Sequence, residues 1–261
     1  MKTNYHTHTT RCNHATGSDE DYVISAIKAG FDEIGFSDHC PWLFDDNYKS
    51  HMRMTISEFD DYKQSVKALQ VKYKDQISIK LGLEVEYFER YIPWMKKFIK
   101  EEELDYVIFG NHFYDSEDYG FYYGSQIKDA KTMNLYVEDA IKGMEDGMFA
   151  YFAHPDLFMR SYSDWDHICE EASERICKKA SELGIILEYN LAGKMLGDII
   201  HQVQYPHPEF WKIAGKYHCK AIIGVDAHRN MDLEKNDYYE AAIKSLQAFG
   251  LQRVETIEFL R

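Results

Sequence analysis

Short apolar runs along this chain keep ending on a residue that can carry a proton or hold a cation, and that repetition restricts the folds open to it. Glu33–Ser37 runs into Asp38 and His39, and Ile79–Leu83 into Glu84. Tyr106–Gly110 runs into Asn111 and His112, Phe149–Ala153 into His154, and Ala221–Val225 into Asp226 and His228. At the start, His6 and His8 lie two apart on a run read as a strand, Asn4–His8. Period two puts both rings on one face, within reach of one metal ion. One such strand end is ordinary, but six are hard to ascribe to chance.

Helical stretches separate the runs. The pattern predicts helices over Asp19–Ala29, from near Ser57, and over Pro93–Glu102, Lys131–Met144, Asp164–Leu183, His207–Tyr217 and Asp237–Phe249. In the first, Ile24, Ile27 and Lys28 are expected near the core side, with Gly30 as C-cap. Ile185–Tyr189 and Arg253–Phe259 read as further strands, and Pro41–Thr55 and Asn111–Gln126 as long polar, aromatic loops, the second a wall or lid. Strand–helix alternation without a Gly, Ser or Pro linker points to one domain over residues 1–261 and to a parallel sheet or (β/α) barrel of seven or eight units. In such a barrel the strand C-termini open onto one face, and the active site is there.

The donors are nitrogen and oxygen without thiolate, which suits Zn, Mn or Fe in an open, catalytic site. With His14, which follows the first strand after a turn-rich loop, seven histidines stand beside Glu84 and Asp226, too many for one ion, so Glu84 is expected to bridge two. The net charge of −14 disfavours DNA and anionic lipid as partners, and a phosphate-bearing substrate needs bound cations to invert the local field. Most of that acidity serves solubility. Apolar residues make up 45%, enough for a sizeable core, and the 20 tyrosines suit the wall of a polar cavity. Five cysteines without a CxxC spacing argue against a disulfide framework and for a reducing compartment. The opening MKTNYHTHTT lacks a signal-peptide core, and no apolar run is long enough to span a bilayer, so a cytoplasmic protein is expected.

His6-x-His8, Asp38-His39, Gly82-Leu83-Glu84, His112, His154-Pro155 and Asp226-Ala227-His228, in this order, resemble the PHP (polymerase and histidinol phosphatase) family over nearly the whole chain. The Tyr62 helix, Gly82–Tyr87, His154–Leu157, Glu188-Tyr189-Asn190 with Gly193, and Tyr205-Pro206 resemble its stand-alone histidinol-phosphate phosphatases. The resemblance implies a distorted (β/α)7 barrel with three divalent ions. One would be held by His6, His8, Glu84 and Asp226, a second by Glu84, His112 and His154, and a third by His14, His39 and His228. It departs at the fourth strand, where Gly110-Asn111-His112 is one residue shorter than the family's usual run.

The chemistry implied is hydrolysis of a small phosphate monoester, foremost L-histidinol phosphate. Ions about 3.5–4 Å apart acidify a bridging water toward neutrality, and its hydroxide attacks phosphorus in line. Glu84, Asp226 and His228 are the candidate catalytic groups, the last two also for proton transfer. Arg160 and Lys194 are the candidate phosphate contacts, with Arg229 a weaker one. His51, His167, His201, His207 and His218 lack strand-end placement and read as surface or helix-capping residues. Cys40 reads as structural. Trp42, Phe44 and Tyr119–Tyr123 either frame the leaving group or pack a loop. Two alternatives stand beside this reading: a phosphoesterase for another small monoester, and a non-catalytic, metal-stabilised module. A nucleic-acid binder fits poorly, and the oligomeric state is left open.

Overall fold

The computed structural model describes residues 1–44, 48–162 and 164–260; residues 45–47 of the Pro41–Thr55 loop, residue 163 and residue 261 lie outside the described set. In chain order the strands are β1 (Thr3–Asn4), β2 (Glu33–Phe36), β3 (Ser78–Val85), β4 (Tyr106–Gly110), β5 (Phe113–Tyr114), β6 (Phe121–Tyr122), β7 (Phe152–Ala153), β8 (Ile186–Asn190), β9 (Lys220–Gly224) and β10 (Gln252–Arg253). The helices are α1 (Asp19–Lys28), α2 (Ile56–Lys72), α3 (Ile92–Glu101), α4 (Tyr123–Gln126), α5 (Ala130–Asp146), α6 (His167–Leu183), α7 (Leu191–Ile200), α8 (Pro208–Lys216) and α9 (Asn236–Ala248).

Eight of these strands form one parallel sheet in the order β1-β2-β3-β4-β7-β8-β9-β10, and β5 pairs with β6 as a separate antiparallel hairpin. The sheet curls back on itself. Beyond β1, Thr7 stands opposite Ala227: the His8 N–H donates to Ala227 O at 3.0 Å and the Ala227 N–H to His6 O at 3.2 Å. This contact joins the first strand's continuation to that of β9 and completes a ring of seven, with β10 attached to the other edge of β9. The expected distorted (β/α)7 barrel is the fold observed.

Local chemistry sets the helix ends. Ser18 and Asp21 form a reciprocal capping box at α1, Thr55 and Glu58 another at α2, and Asp129 and Thr132 a third at α5. Gly147 and Gly184 end α5 and α6 in the left-handed conformation. Most apolar side chains pack between strands and helices, while a smaller cluster of Tyr5, Tyr106, Ile108, Tyr151, Ala153, Ile222 and Ile257 lies apart from them. There the Tyr106 hydroxyl donates to the backbone oxygens of Tyr5 at 2.8 Å and Phe36 at 3.0 Å, so the aromatic cluster is also hydrogen-bonded. Among the described residues no helix is long and apolar enough to cross a membrane.

Four expectations are corrected. The buried face of α1 is Tyr22, Val23 and Ala26; Ile27 packs half-buried against the core as expected, whereas Ile24 is 49% exposed and Lys28 is exposed. Asn111–Gln126 is not one loop: it holds the β5–β6 hairpin and the single turn α4. Arg253–Phe259 is a strand only at its start, and Val254, Ile257 and Phe259 join the Tyr5–Tyr106 cluster instead. The helix α7 went unread because two glycines lower its propensity. It forms because Asn190 caps it, accepting the Gly193 N–H at 2.8 Å, and because Gly193 lies flush against Tyr205, where a Cβ would meet the ring at 2.4 Å.

Candidate metal centre

The eight residues singled out from the strand ends, together with His14 from the loop after β1, converge at the C-terminal mouth of the barrel. Eight of these nine line one cleft of about 500 Å³, and His6 lies fully buried behind it. His39 and Glu84 are delivered side by side because the ends of β2 and β3 stay paired: the Glu84 N–H donates to Asp38 O at 3.0 Å and the Cys40 N–H to Glu84 O at 2.9 Å. Gly110 is required by this crowding, since a Cβ there would stand 2.5 Å from both Glu84 Oε1 and His112 Cε1. His154 and Asp226 turn into the cleft through positive φ, 32° and 54°. Such backbone costs about 1–3 kcal/mol per residue and persists where surrounding structure imposes it.

Glu84 is central. Its Oε1 lies 2.9 Å from His154 Nε2 and 3.2 Å from His112 Nε2. Its Oε2 lies 3.1 Å from His39 Nδ1 and 3.5 Å from the Nε2 atoms of both His6 and His8. One carboxylate thus faces two donor groups, one through each oxygen. Asp226 Oδ1 sits 3.2 Å from His8 Nε2 and 3.5 Å from His6 Nε2. The rings of His14 and His228 stack at 4.6 Å, with His39 5.6 Å from His14. His8 lies nearer than His14 to both partners, its ring centroid 4.4 Å from His39 and 4.1 Å from His228, and these three bring donor atoms within 4.8 Å of one another. Cys12 also has its sulfur within reach of His14 and His228, a neighbour the sequence reading did not include. Burial, assisted by Asp38, pushes its thiol up to about 12, which keeps it protonated.

The ring orientations come from partners not assigned in advance. His6 Nδ1 is 2.8 Å from Glu188 Oε2, His112 Nδ1 is 2.9 Å from Glu86 Oε1, and His8 Nδ1 is 3.4 Å from Asp38 Oδ1. His14 Nδ1 donates to Cys12 O at 2.7 Å and His228 Nδ1 to Asp226 O at 3.1 Å. Holding Nδ1 in this way presents Nε2 to the cleft, the arrangement of a metal-ligating histidine. A signal was available: Glu86 stands two after Glu84, just past the end of β3, and Glu188 with Asn190 repeats the period-two pair at β8. Gly224 makes room for Glu188, whose Cδ a Cβ there would meet at 2.3 Å.

Several donor atoms then remain buried without a hydrogen-bond partner, among them Nε2 of His6, His8 and His228, Nδ1 of His39, Oε2 of Glu84 and Oδ1 of Asp226. Burial opposes ionisation of Glu84, but His112, His6 and His39 outweigh it and hold the carboxyl well below its usual range. Asp226 is held low in the same way by His6, His8 and His228. Burial works against charge on His8 and His112 too, yet their carboxylate neighbours push them up to about 9 and about 10. By contrast burial, with His8 adding to it, pulls His228 down to about 3, and burial holds His39 well below 6.5.

These shifts have a measurable consequence. Burial opposes charge on His6 as well, but Glu188, Asp226 and Glu84 hold it well above 6.5. At pH 7.5 His6, His8 and His112 carry protons that an arriving cation must displace, whereas His39 and His228 are already neutral. Divalent-ion uptake is therefore expected to release roughly three protons per chain, and affinity to rise with pH toward 9–10 as proton competition fades. Titration calorimetry in two buffers of different ionisation enthalpy reads this directly. Uptake without net proton release would contradict it.

The cleft wall is formed by Met52, Phe113, Tyr122, Leu157, Leu196 and Tyr205, with Arg160 and His51 among them. Arg160 reaches the cleft and its Nη1 donates to the Tyr122 hydroxyl at 2.9 Å. Lys194 does not: it pairs with Asp198 one turn along α7 and lines a separate surface hollow with Tyr189 and Tyr238. The expectation for Lys194 followed its nearness to Asn190 in sequence, but α7 carries it outward. Arg229 pairs with Asp232 and also lies outside the cleft lining. His51 is exposed, as expected, and it also lines the cleft. Trp42 is buried, its indole donating to Glu86 at 2.8 Å, so it braces the site from behind. His207 caps α8 as expected.

Comparison with known proteins agrees with this geometry. A family model described as PHP domain matches residues 4–192. A probable histidinol-phosphatase of Deinococcus radiodurans is 26% identical over 236 residues, 86% of this chain and 85% of that protein. The histidinol-phosphatase of Bacillus subtilis is 30% identical over a shorter stretch of 95 residues, 35% of each chain. Among solved structures, the histidinol phosphate phosphatase of Lactococcus lactis, crystallised with zinc, L-histidinol and phosphate, superposes with a TM-score of 0.78 over 100% of this chain and 99% of that one, at 20% identity.

Proposed function

The chain belongs to the PHP domain family, and on that premise we propose that it is a metal-dependent phosphatase, a single domain over residues 1–261, acting on L-histidinol phosphate. The observation that carries the metal part is the set of buried, unpartnered donor atoms on His8, His39, Glu84, Asp226 and His228, which line one cleft, and on His6 directly behind it. Buried polar atoms are ordinarily paired, and leaving so many unpaired together is costly unless a cation satisfies them. His6, His8, Glu84 and Asp226 would hold one ion, Glu84, His112 and His154 a second, and His14, His39 and His228 a third. Zinc, manganese and iron all suit these donors. Such ions supply Lewis acidity toward phosphoryl oxygens and lower the pKa of water.

The chain's own groups do the rest. Arg160, steadied by Tyr122, binds the phosphate and sets its orientation. Asp226 stands beside the cleft to take the proton of the attacking water through Oδ2, which accepts from Asn190 Nδ2 at 3.1 Å, since Oδ1 would face a cation. The aromatic wall limits water around the leaving group. The names of the relatives and the ligands crystallised in the Lactococcus protein support histidinol phosphate as the substrate. The five free cysteines support a reducing, cytoplasmic setting.

The test is a panel of phosphate monoesters with the zinc-, manganese- or iron-loaded protein. Histidinol phosphate should be hydrolysed with the highest kcat/KM; a better sugar or nucleotide phosphate would sink the substrate assignment while leaving the chemistry. Arg160→Ala should lower kcat/KM about 100- to 1,000-fold, as loss of one charged phosphate contact does. A loss below about threefold would remove Arg160 from the phosphate site.

A further inference from the structure

A buried ion network stands behind His112. Arg53, 2% exposed, lies on the segment between β2 and α2. Its Nη2 donates to Glu86 Oε1 at 2.8 Å, its Nη1 to Glu86 Oε2 at 3.1 Å and to Cys40 O at 3.1 Å. Its Nε donates to Glu117 Oε2 at 2.5 Å. Glu117 lies between β5 and β6, is almost fully buried, and also accepts the Tyr48 hydroxyl at 2.9 Å. Glu86 Oε1 in turn receives His112 Nδ1 at 2.9 Å, and its Oε2 the Trp42 indole.

A buried ion network of this kind is a poor source of stability, because desolvation offsets most of the attraction and apolar replacements often do as well. Its geometry does something an apolar cluster cannot. The planar guanidinium has donors in fixed directions. Two of them lock both oxygens of Glu86, so one orientation is left for the His112 ring. Another holds the hairpin that carries Phe113 and Tyr122, two residues of the cleft wall. The adjoining residues His51 and Met52 line the same cleft.

We propose that Arg53 is a positioning residue that ties two properties of the site together: through Glu86 it orients His112 toward the cation, and through Glu117 it anchors the hairpin wall against which the substrate's organic group sits. The proposal rests on reading the cluster as a cation site.

Its test compares wild type, Arg53→Lys and Glu117→Ala by zinc competition against a chromogenic chelator and by steady-state kinetics, with thermal melting to establish folding. Arg53→Lys keeps the charge and loses the fork. It should yield its zinc to about 10- to 100-fold less chelator than wild type, the usual cost of losing an outer partner of a metal ligand. Glu117→Ala should hold zinc as wild type does and raise KM about threefold or more, since only the wall is released. A folded Arg53→Lys that retains zinc like wild type overturns the proposal, as does a Glu117→Ala with unchanged KM. If Arg53→Lys does not fold, Glu86→Gln carries the same expectation for zinc, and wild-type retention in it overturns the proposal. Wild-type protein that binds no zinc would instead overturn the cation-site reading itself, a result distinguishable from either variant's failure.

Discussion

Glu84→Gln is expected to cut kcat by about a thousandfold or more, ~4 kcal/mol of transition-state stabilisation, and to leave the chain short of at least one cation. The magnitude follows from position. Glu84 stands within 3.5 Å of five histidines and offers a separate oxygen to each of two donor groups. An amide removes the negative charge and turns one oxygen into a donor aimed at histidine nitrogens that must themselves face a cation. The side-chain volume hardly changes, so folding should survive. Metal analysis of the purified variant beside its kinetics makes the measurement. Full metal content together with near-normal turnover would show that Glu84 does not bridge.

Stripping the cations should be the other large effect. With a strong chelator, activity should fall to background and return on adding zinc or manganese. Stability should fall as well, because the cleft then keeps its unpartnered donors and the positive-φ backbone of His154 and Asp226. Ions that bind only the folded chain contribute RT ln(1 + [L]/Kd), about 4 kcal/mol at a thousandfold excess over Kd. For a chain of this size that corresponds to a fall in Tm of roughly 10 °C. Scanning fluorimetry with and without chelator reads it. An unchanged Tm in protein verified as metal-free would mean the cluster folds stably without ions and would weaken the fit between these residues and a metal centre.

Much of the site was legible in the sequence because the signals that place it are local. Period-two alternation told that His6 and His8 share a face, and parallel strands told that their C-termini share an end. The eight residues from the strand ends meet for those two reasons, and His14 joins them from the loop after β1. Where the reading failed, the deciding interactions were non-local. Lys194 follows a strand end as closely as several true cleft residues do, yet a helix capped by Asn190 turns it away. His51 has no strand beside it in sequence, yet its segment is drawn to the cleft, held next door by Arg53 on Glu86 and Glu117.

The sequence by itself determined the alternation of the barrel's strands with most of its helices, the residue at each strand end, and so the chemical kind of the site: histidine and carboxylate. Those depend on spacing along one stretch of chain. The tertiary structure alone decided how the ring closes, with Thr7 against Ala227, and which carboxylate holds which imidazole. Glu188 reaches His6 across 182 residues, and Glu86 reaches His112 from a neighbouring strand. Such pairings are set by register and closure across the barrel, where each side chain's partner depends on every strand packed between them.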